Sequence, residues 1–138
     1  MKQPEAQHRQ QRKAGMKPTI LILGSDASQC SGIADLLSQN GFRPQVKSNF
    51  SAMEKYPLAP EIAAIILDID AMAPDNHLFR RFKRNNPGVI LLGMSNRTFH
   101  PELRESMEKH IFACANKPVD PEEILFLLKS GCDTNAYV

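Results

Sequence analysis

The chain has 138 residues, 42% of them hydrophobic and 23% charged, with a formal net charge of +2. That is enough for one domain with a sizeable core and is ordinary for a globular protein. No apolar run nears the roughly 20 residues of a membrane span, the polar N-terminus lacks the apolar stretch of a secretory signal, and no motif marks a nucleic-acid-binding domain.

Residues 1–17 carry Lys2, Arg9, Arg12, Lys13 and Lys17 against Glu5 alone, a net +4 that leaves −2 for the rest of the chain. This Gln-rich, weakly hydrophobic segment reads as a solvated basic tail, with Met16 as an alternative start. The folded domain is expected over 18–131, and 132–138 reads as a second tail. Cys30, Cys114 and Cys132 show neither a CxxC pair nor nearby histidines. They read as reduced thiols in a cytoplasmic protein rather than as a zinc site or disulfide framework.

"PTILILG" (18–24) is a short continuous apolar run, the pattern of a strand buried on both faces. Ser25 or Asp26 can cap the helix that follows, with Cys30, Ile33, Leu36 and Leu37 as its buried stripe and Gly41 just past its end. "FRPQVKS" is a weaker strand, and Pro44 places it at a sheet edge or a strand start. "NFSAMEKY" suits a short helix capped at Asn49 or Ser51. "EIAAIILDI" is the second strongly buried strand, and "AMAPDN" after it reads as loop. "HLFRRFKRN" is an amphipathic helix with Leu78, Phe79 and Phe82 inward. "GVILLGMS" is a third apolar strand, "HPELRESMEKH" a polar helix with Pro101 at its first turn, and "IFACA" a short strand. In "NKPVDPEEILFLLKSG", Asp120 caps a last helix with Pro121 at N1. Its buried stripe is Ile124, Leu127 and Leu128, and Gly131 is expected to end it.

Strand and helix thus alternate five times. The expected fold is α/β: a three-layer, doubly wound sandwich around a five-stranded parallel sheet. Ligands in such sheets gather at the carboxyl ends of the strands. That rim would hold Gly24, Ser25, Asp26, Asp68, Asp70, Ser95, Asn96 and Lys117. Asp68 alone could be a phosphate acceptor, a metal ligand, a nucleophile or a helix cap. With Ser95 and Lys117 at two other strand ends it forms a set suited to phosphoryl chemistry. A carboxylate can attack phosphorus, and a hydroxyl and an ammonium can hold the phosphoryl oxygens, usually with Mg²⁺.

On these residues the chain resembles the receiver domains of two-component response regulators, the CheY-like, flavodoxin-like (βα)5 family, over roughly 18–130. "IILDI" matches the strand that ends in the phosphoacceptor, Asp68. "LLGMSN" matches the strand that ends in Ser or Thr, here Ser95, and "NKPVDPEEIL" matches the Lys-Pro that follows the last strand, here Lys117. The resemblance implies a cis peptide before Pro118 and Mg²⁺ bound by acids around Asp68. Three departures accompany it. Gly24 and Ser25 stand where the family has an acid pair, leaving Asp26 one place late. Cys114 stands where the family has an aromatic switch residue, and the loop after Asp68 has a displaced proline and no glycine.

A metal site drawn from Asp26, Asp68 and Asp70 is therefore expected to be weak or missing, with Lys117 pairing directly with Asp68. The resemblance implies a degenerate receiver that acts through protein contacts, with a sensor histidine kinase or another signalling protein as partner. Its contact face would be the fourth helix, fifth strand and fifth helix, including Arg104, Lys109, His110 and Phe112, and it could also serve a homodimer. Membrane and nucleic-acid partners are not expected. The first alternative is a conventional phosphorylatable receiver. The second reads "LDID" as the DxD motif of haloacid-dehalogenase-type phosphatases, with Asp68 the nucleophile and Asp70 the general acid/base. The full βαβα unit that precedes a motif belonging on the first strand, and the missing late acidic motif, weigh against the second. No output domain follows Val138, so the chain reads as a stand-alone module or as a piece of a longer one.

Overall fold

A computed structural model describes residues 17–54 and 58–136; side chains are described as far as residue 132. Of the basic tail expected over residues 1–17, only Lys17 falls within the described residues. The strands are β1 (Thr19–Leu23), β2 (Arg43–Lys47), β3 (Ile62–Asp68), β4 (Ile90–Ser95) and β5 (Ala113–Asn116). The helices are α1 (Ala27–Gln39), α2 (Ile69–Met72), α3 (Asn76–Asn85), α4 (Arg104–Lys109) and α5 (Pro121–Ala136), with 3₁₀ turns at Ser51–Glu54 and Pro101–Leu103.

All strand pairs are parallel, in the order β2-β1-β3-β4-β5. The expected five-stranded doubly wound sheet is what forms. The apolar runs explain it, because alternate side chains of each strand feed opposite cores. Ile20, Ile22, Ala64, Ile66, Leu92 and Met94 pack with Cys30, Ile33 and Leu37 of α1 and Ile124 and Leu128 of α5. Leu21, Leu23, Ile65, Leu67 and Leu91 pack on the other side with Leu78, Phe79 and Phe82 of α3. β2 is an edge strand, the place where Pro44 can lack a donor without breaking a ladder.

Local signals set the helix ends. Asp26 caps α1, accepting a hydrogen bond from Gln29 N–H at 3.0 Å. Past its end, Gly41 takes φ +88°, and Phe42 N–H closes back on Leu37 C=O at 3.1 Å. Asp120 Oδ1 accepts from Glu122 N–H at 3.0 Å at the start of α5.

Three local expectations change. The loop after Asp68 begins with one helical turn, α2, which ends on Ala73 in the left-handed region at φ 49°. The segment after Asn49 forms a 3₁₀ turn rather than an α-helix. And α5 runs past Gly131 to Ala136. Gly131 lies against β4, where an added Cβ would stand 3.0 Å from Ile90 Cδ1. The glycine serves close packing rather than termination.

α3 and α4 are tied side by side. Asn76 Oδ1 accepts from both the N–H (3.1 Å) and the hydroxyl (2.6 Å) of Ser106, and Asn76 Nδ2 donates to Glu102 C=O at 3.2 Å. Arg80 adds a two-pronged pair with Glu105, at 2.9 and 2.6 Å, and its hydrogen bonds hold the Glu105 carboxyl down at about 2.

Candidate functional site

The strand register builds the rim. Leu23 lies beside Leu67, so the next residues out, Gly24 and Asp68, are neighbours. Asp68 lies beside Met94, and Ser95 beside Asn116, which puts Lys117 one residue beyond β5. Strand order reverses between β1 and β3, the position where doubly wound sheets open a crevice.

Asp68 is buried. Its Oδ1 accepts the Lys117 ammonium at 2.6 Å and the Ala71 N–H at 3.1 Å. The residue is thus both the cap of α2 and one half of a buried ion pair. The peptide between Lys117 and Pro118 is cis. Burial opposes charge on Lys117, but its hydrogen bond to Asp68 and the two nearby carboxylates raise its pKa above the ordinary lysine value.

Facing this pair from β1 is Gly24, which is buried. A Cβ placed there would stand 3.6 Å from Asp68 Cβ and 3.0 Å from Cys30 Sγ. The Cys30 thiol thus closes over the glycine, and burial followed by the charges of Asp26 and Asp68 keeps it protonated by raising its pKa. Asp26, an exposed residue, is committed to capping α1.

Asp70 turns its carboxylate into the rim. Oδ1 accepts from the Ser95 hydroxyl at 2.8 Å, Oδ2 from the Asn96 N–H at 2.6 Å, and Lys117 Nζ lies 3.4 Å from Oδ2. Burial favours the neutral acid, but these three donors outweigh it and hold the Asp70 carboxyl below its ordinary range.

Ser95 is fully buried, and its hydroxyl has two further neighbours. Arg97 N–H donates to its Oγ at 3.0 Å, and His100 Nε2 lies 2.8 Å away. A hydroxyl has one proton and two lone pairs. Its proton goes to the ionised Asp70, so both lone pairs receive donors and His100 must carry its proton on Nε2. The imidazole therefore donates to Ser95. It is not a base poised to activate a serine nucleophile.

Magnesium demands near-octahedral oxygen ligation from carboxylates and waters. Here Asp26 caps a helix, Asp68 Oδ1 holds Lys117 and Ala71, and both Asp70 oxygens are engaged. Among the described residues no group of three His, Cys, Asp or Glu side chains converges to hold a metal.

Cys114 is half-buried in a groove of about 720 Å³, lined in part by Phe99, His100, Pro101, Arg104 and Met107. Burial, with a smaller contribution from Asp70, pushes its thiol up to about 11.

The expected partner-face residues lie along α4 and the segment that joins it to β5. Arg104 is exposed and pairs with Glu108 at 3.3 Å, and Lys109 ends α4 on the surface. His110 is partly buried, 3.3 Å from Glu105, with its N–H bonded to Ser106 C=O. Phe112 is 47% exposed. Three further features escaped sequence reading. Phe99 and Phe126 are 74% and 69% exposed. Phe126 could have been found, since it falls out of phase with the Ile124–Leu128 stripe. His100, five residues after Ser95, carried no such signal.

Comparison with known proteins agrees on the fold. No protein-family profile matches the chain, and no curated protein does. Solved structures do. A CheY-like response regulator receiver domain protein from Methanospirillum hungatei JF-1 superposes with TM-score 0.70 at 18% identity, covering 86% of this chain and 95% of that one. The signal receiver domain of an HD domain-containing protein from Pseudomonas fluorescens Pf-5 gives 0.74 at 16%, covering 88% and 99%. A protein named for pilus assembly (cpaE) from Burkholderia thailandensis E264 gives 0.67 at 19%, covering 84% and 98%. The chain has the receiver-domain fold, as the sequence motifs implied. No helix among the described residues is long and apolar enough to cross a membrane.

Proposed function

We propose that the chain is a receiver-like module of two-component (phosphorelay) signalling that acts through protein contacts, with phosphorylation of Asp68 weak or absent. The observation that carries this reading is the Lys117–Asp68 pair at 2.6 Å, faced by Gly24 where an acid pair would bind Mg²⁺. A receiver without its metal acids has no cation to neutralise an incoming phosphoryl group beside Asp68. The ammonium of Lys117 takes that place and is used up by Asp68 and Asp70. The role is signalling rather than catalysis, in the cytoplasm. The partner is a sensor histidine kinase or another signalling protein, met at the face of α4, β5 and α5, where Phe112 and Phe126 offer exposed aromatic anchors. The same face could pair two copies.

A phosphorylatable receiver is the second reading, favoured by the retained set of Asp68, Ser95 and Lys117 at one rim. Incubation with Mg²⁺ and acetyl phosphate, followed by intact mass, separates the two. The expected result is no more than a trace of a single phosphoryl adduct. A clean adduct that disappears in Asp68→Ala would establish the second reading instead. The phosphatase reading needs Asp70 free to exchange a proton with a leaving group, and its oxygens are held by Ser95 and Asn96.

A further inference from the structure

Three donors converge on Asp70 from the ends of two strands. They are the hydroxyl of Ser95, the backbone N–H of Asn96 and the ammonium of Lys117. A hydroxyl, a backbone N–H and an ammonium at one point make an oxyanion cradle, able to serve two or more oxygens of one ligand. The Ser95 proton cannot be turned elsewhere, because Arg97 N–H and His100 Nε2–H fill both of its lone pairs.

We propose that the Asp70 carboxylate is the built-in occupant of the oxyanion site that the receiver resemblance already places at Ser95 and Lys117. The chain thereby carries its own anion in the place an external phosphoryl oxygen would take. The inference rests on the receiver-like reading for its signalling meaning, while the competition itself follows from the geometry. An occupant tethered by one helical turn is present at high effective concentration, so a free anion must displace a group that never diffuses away. The cradle also explains how the rim tolerates two carboxylates without a metal. Lys117 lies between them, 2.6 Å from Asp68 and 3.4 Å from Asp70, and the remaining charge of Asp70 is taken up by Ser95 and Asn96. Asp70 in turn adds to the raised pKa values of Arg97, in the loop after β4, and Cys114 on β5, and His100 reaches it only through Ser95.

The test is a titration with inorganic phosphate, followed by the amide resonance of Asn96. The wild-type chain is expected to show no saturable shift. Asp70→Ala is expected to bind phosphate at least about tenfold more tightly than wild type, and Ser95→Ala in that background to abolish the gain. Equal phosphate affinity in wild type and Asp70→Ala overturns the proposal, as does a gain that survives Ser95→Ala. A second measurement covers the case of a variant that does not fold. In the wild type, the Asn96 amide proton should lie downfield, and the near-isosteric Asp70→Asn should move it upfield. An Asn96 amide that resonates at the same position in wild type and Asp70→Asn also overturns the proposal. Acetyl phosphate labelling of wild-type Asp68 would sink the degenerate-receiver reading alone, since the Asn96 signal does not depend on it.

Discussion

Replacing Lys117 with methionine tests the organisation of the rim most directly. Methionine keeps most of the side-chain volume and removes the charge. Asp68 would then be a buried carboxylate holding only the Ala71 N–H at 3.1 Å, and Asp70 would keep Ser95 and Asn96. Breaking a buried pair by removing one partner costs about 3–5 kcal/mol. The Lys117 side chain is 15% exposed, so some water can reach the uncovered carboxylate, and the lower figure applies. About 3 kcal/mol is a large share of the roughly 5–15 kcal/mol that holds a domain together. With a urea slope of about 1.5 kcal/mol per molar, the midpoint should fall by about 2 M with the slope unchanged. Adding Asp68→Asn should recover most of that loss, because the unpaired charge is gone. A single Lys117→Met whose midpoint stays within about 0.5 M of wild type, on the same slope, would refute the buried-pair argument.

Two further outcomes follow from the same geometry. Asp70 has its folded pKa lowered from the ordinary 3.8, so its contribution is present above that value and is lost as pH falls through the lower folded value. The urea midpoint of the wild type should therefore drop more steeply below about pH 4 than that of Asp70→Asn, and parallel curves would count against it. Ala73 ends α2 with φ 49°, a region that L-residues occupy at a cost of about 1–2 kcal/mol and glycine does not. After the entropy lost by glycine, Ala73→Gly should raise stability by up to about 1 kcal/mol, and a fall in thermal midpoint would contradict the assigned turn.

The buried strands were legible because parallel strands covered on both faces read as unbroken apolar runs, as in β1, β3 and β4. The caps at Asp26 and Asp120 were legible because those residue types satisfy helix donors. The register then follows, and it delivers Asp68, Ser95 and Lys117 to one rim. Other features depend on neighbours distant in sequence. Gly131 looks like a helix end until Ile90 is seen against it. The one-turn helix after Asp68 is too short for any periodicity to mark. The inward turn of the Asp70 carboxylate is set by Ser95 and Asn96, more than twenty residues away, and the position of the His100 ring by the loop that folds over Ser95. A motif locates such groups, but only the fold shows which hydrogen bonds they have already made.

The tie between α3 and α4 has a consequence for recognition. Asn76 and Arg80 clamp the short α4 to a longer helix anchored by three large apolar side chains, so six residues of helix gain the stiffness of a much larger body. A surface that is already immobile loses little freedom when something settles on it. Whatever contacts the outer side of α4 meets Arg104 and Lys109 on a braced platform. The ordering cost of that platform was met when the chain folded.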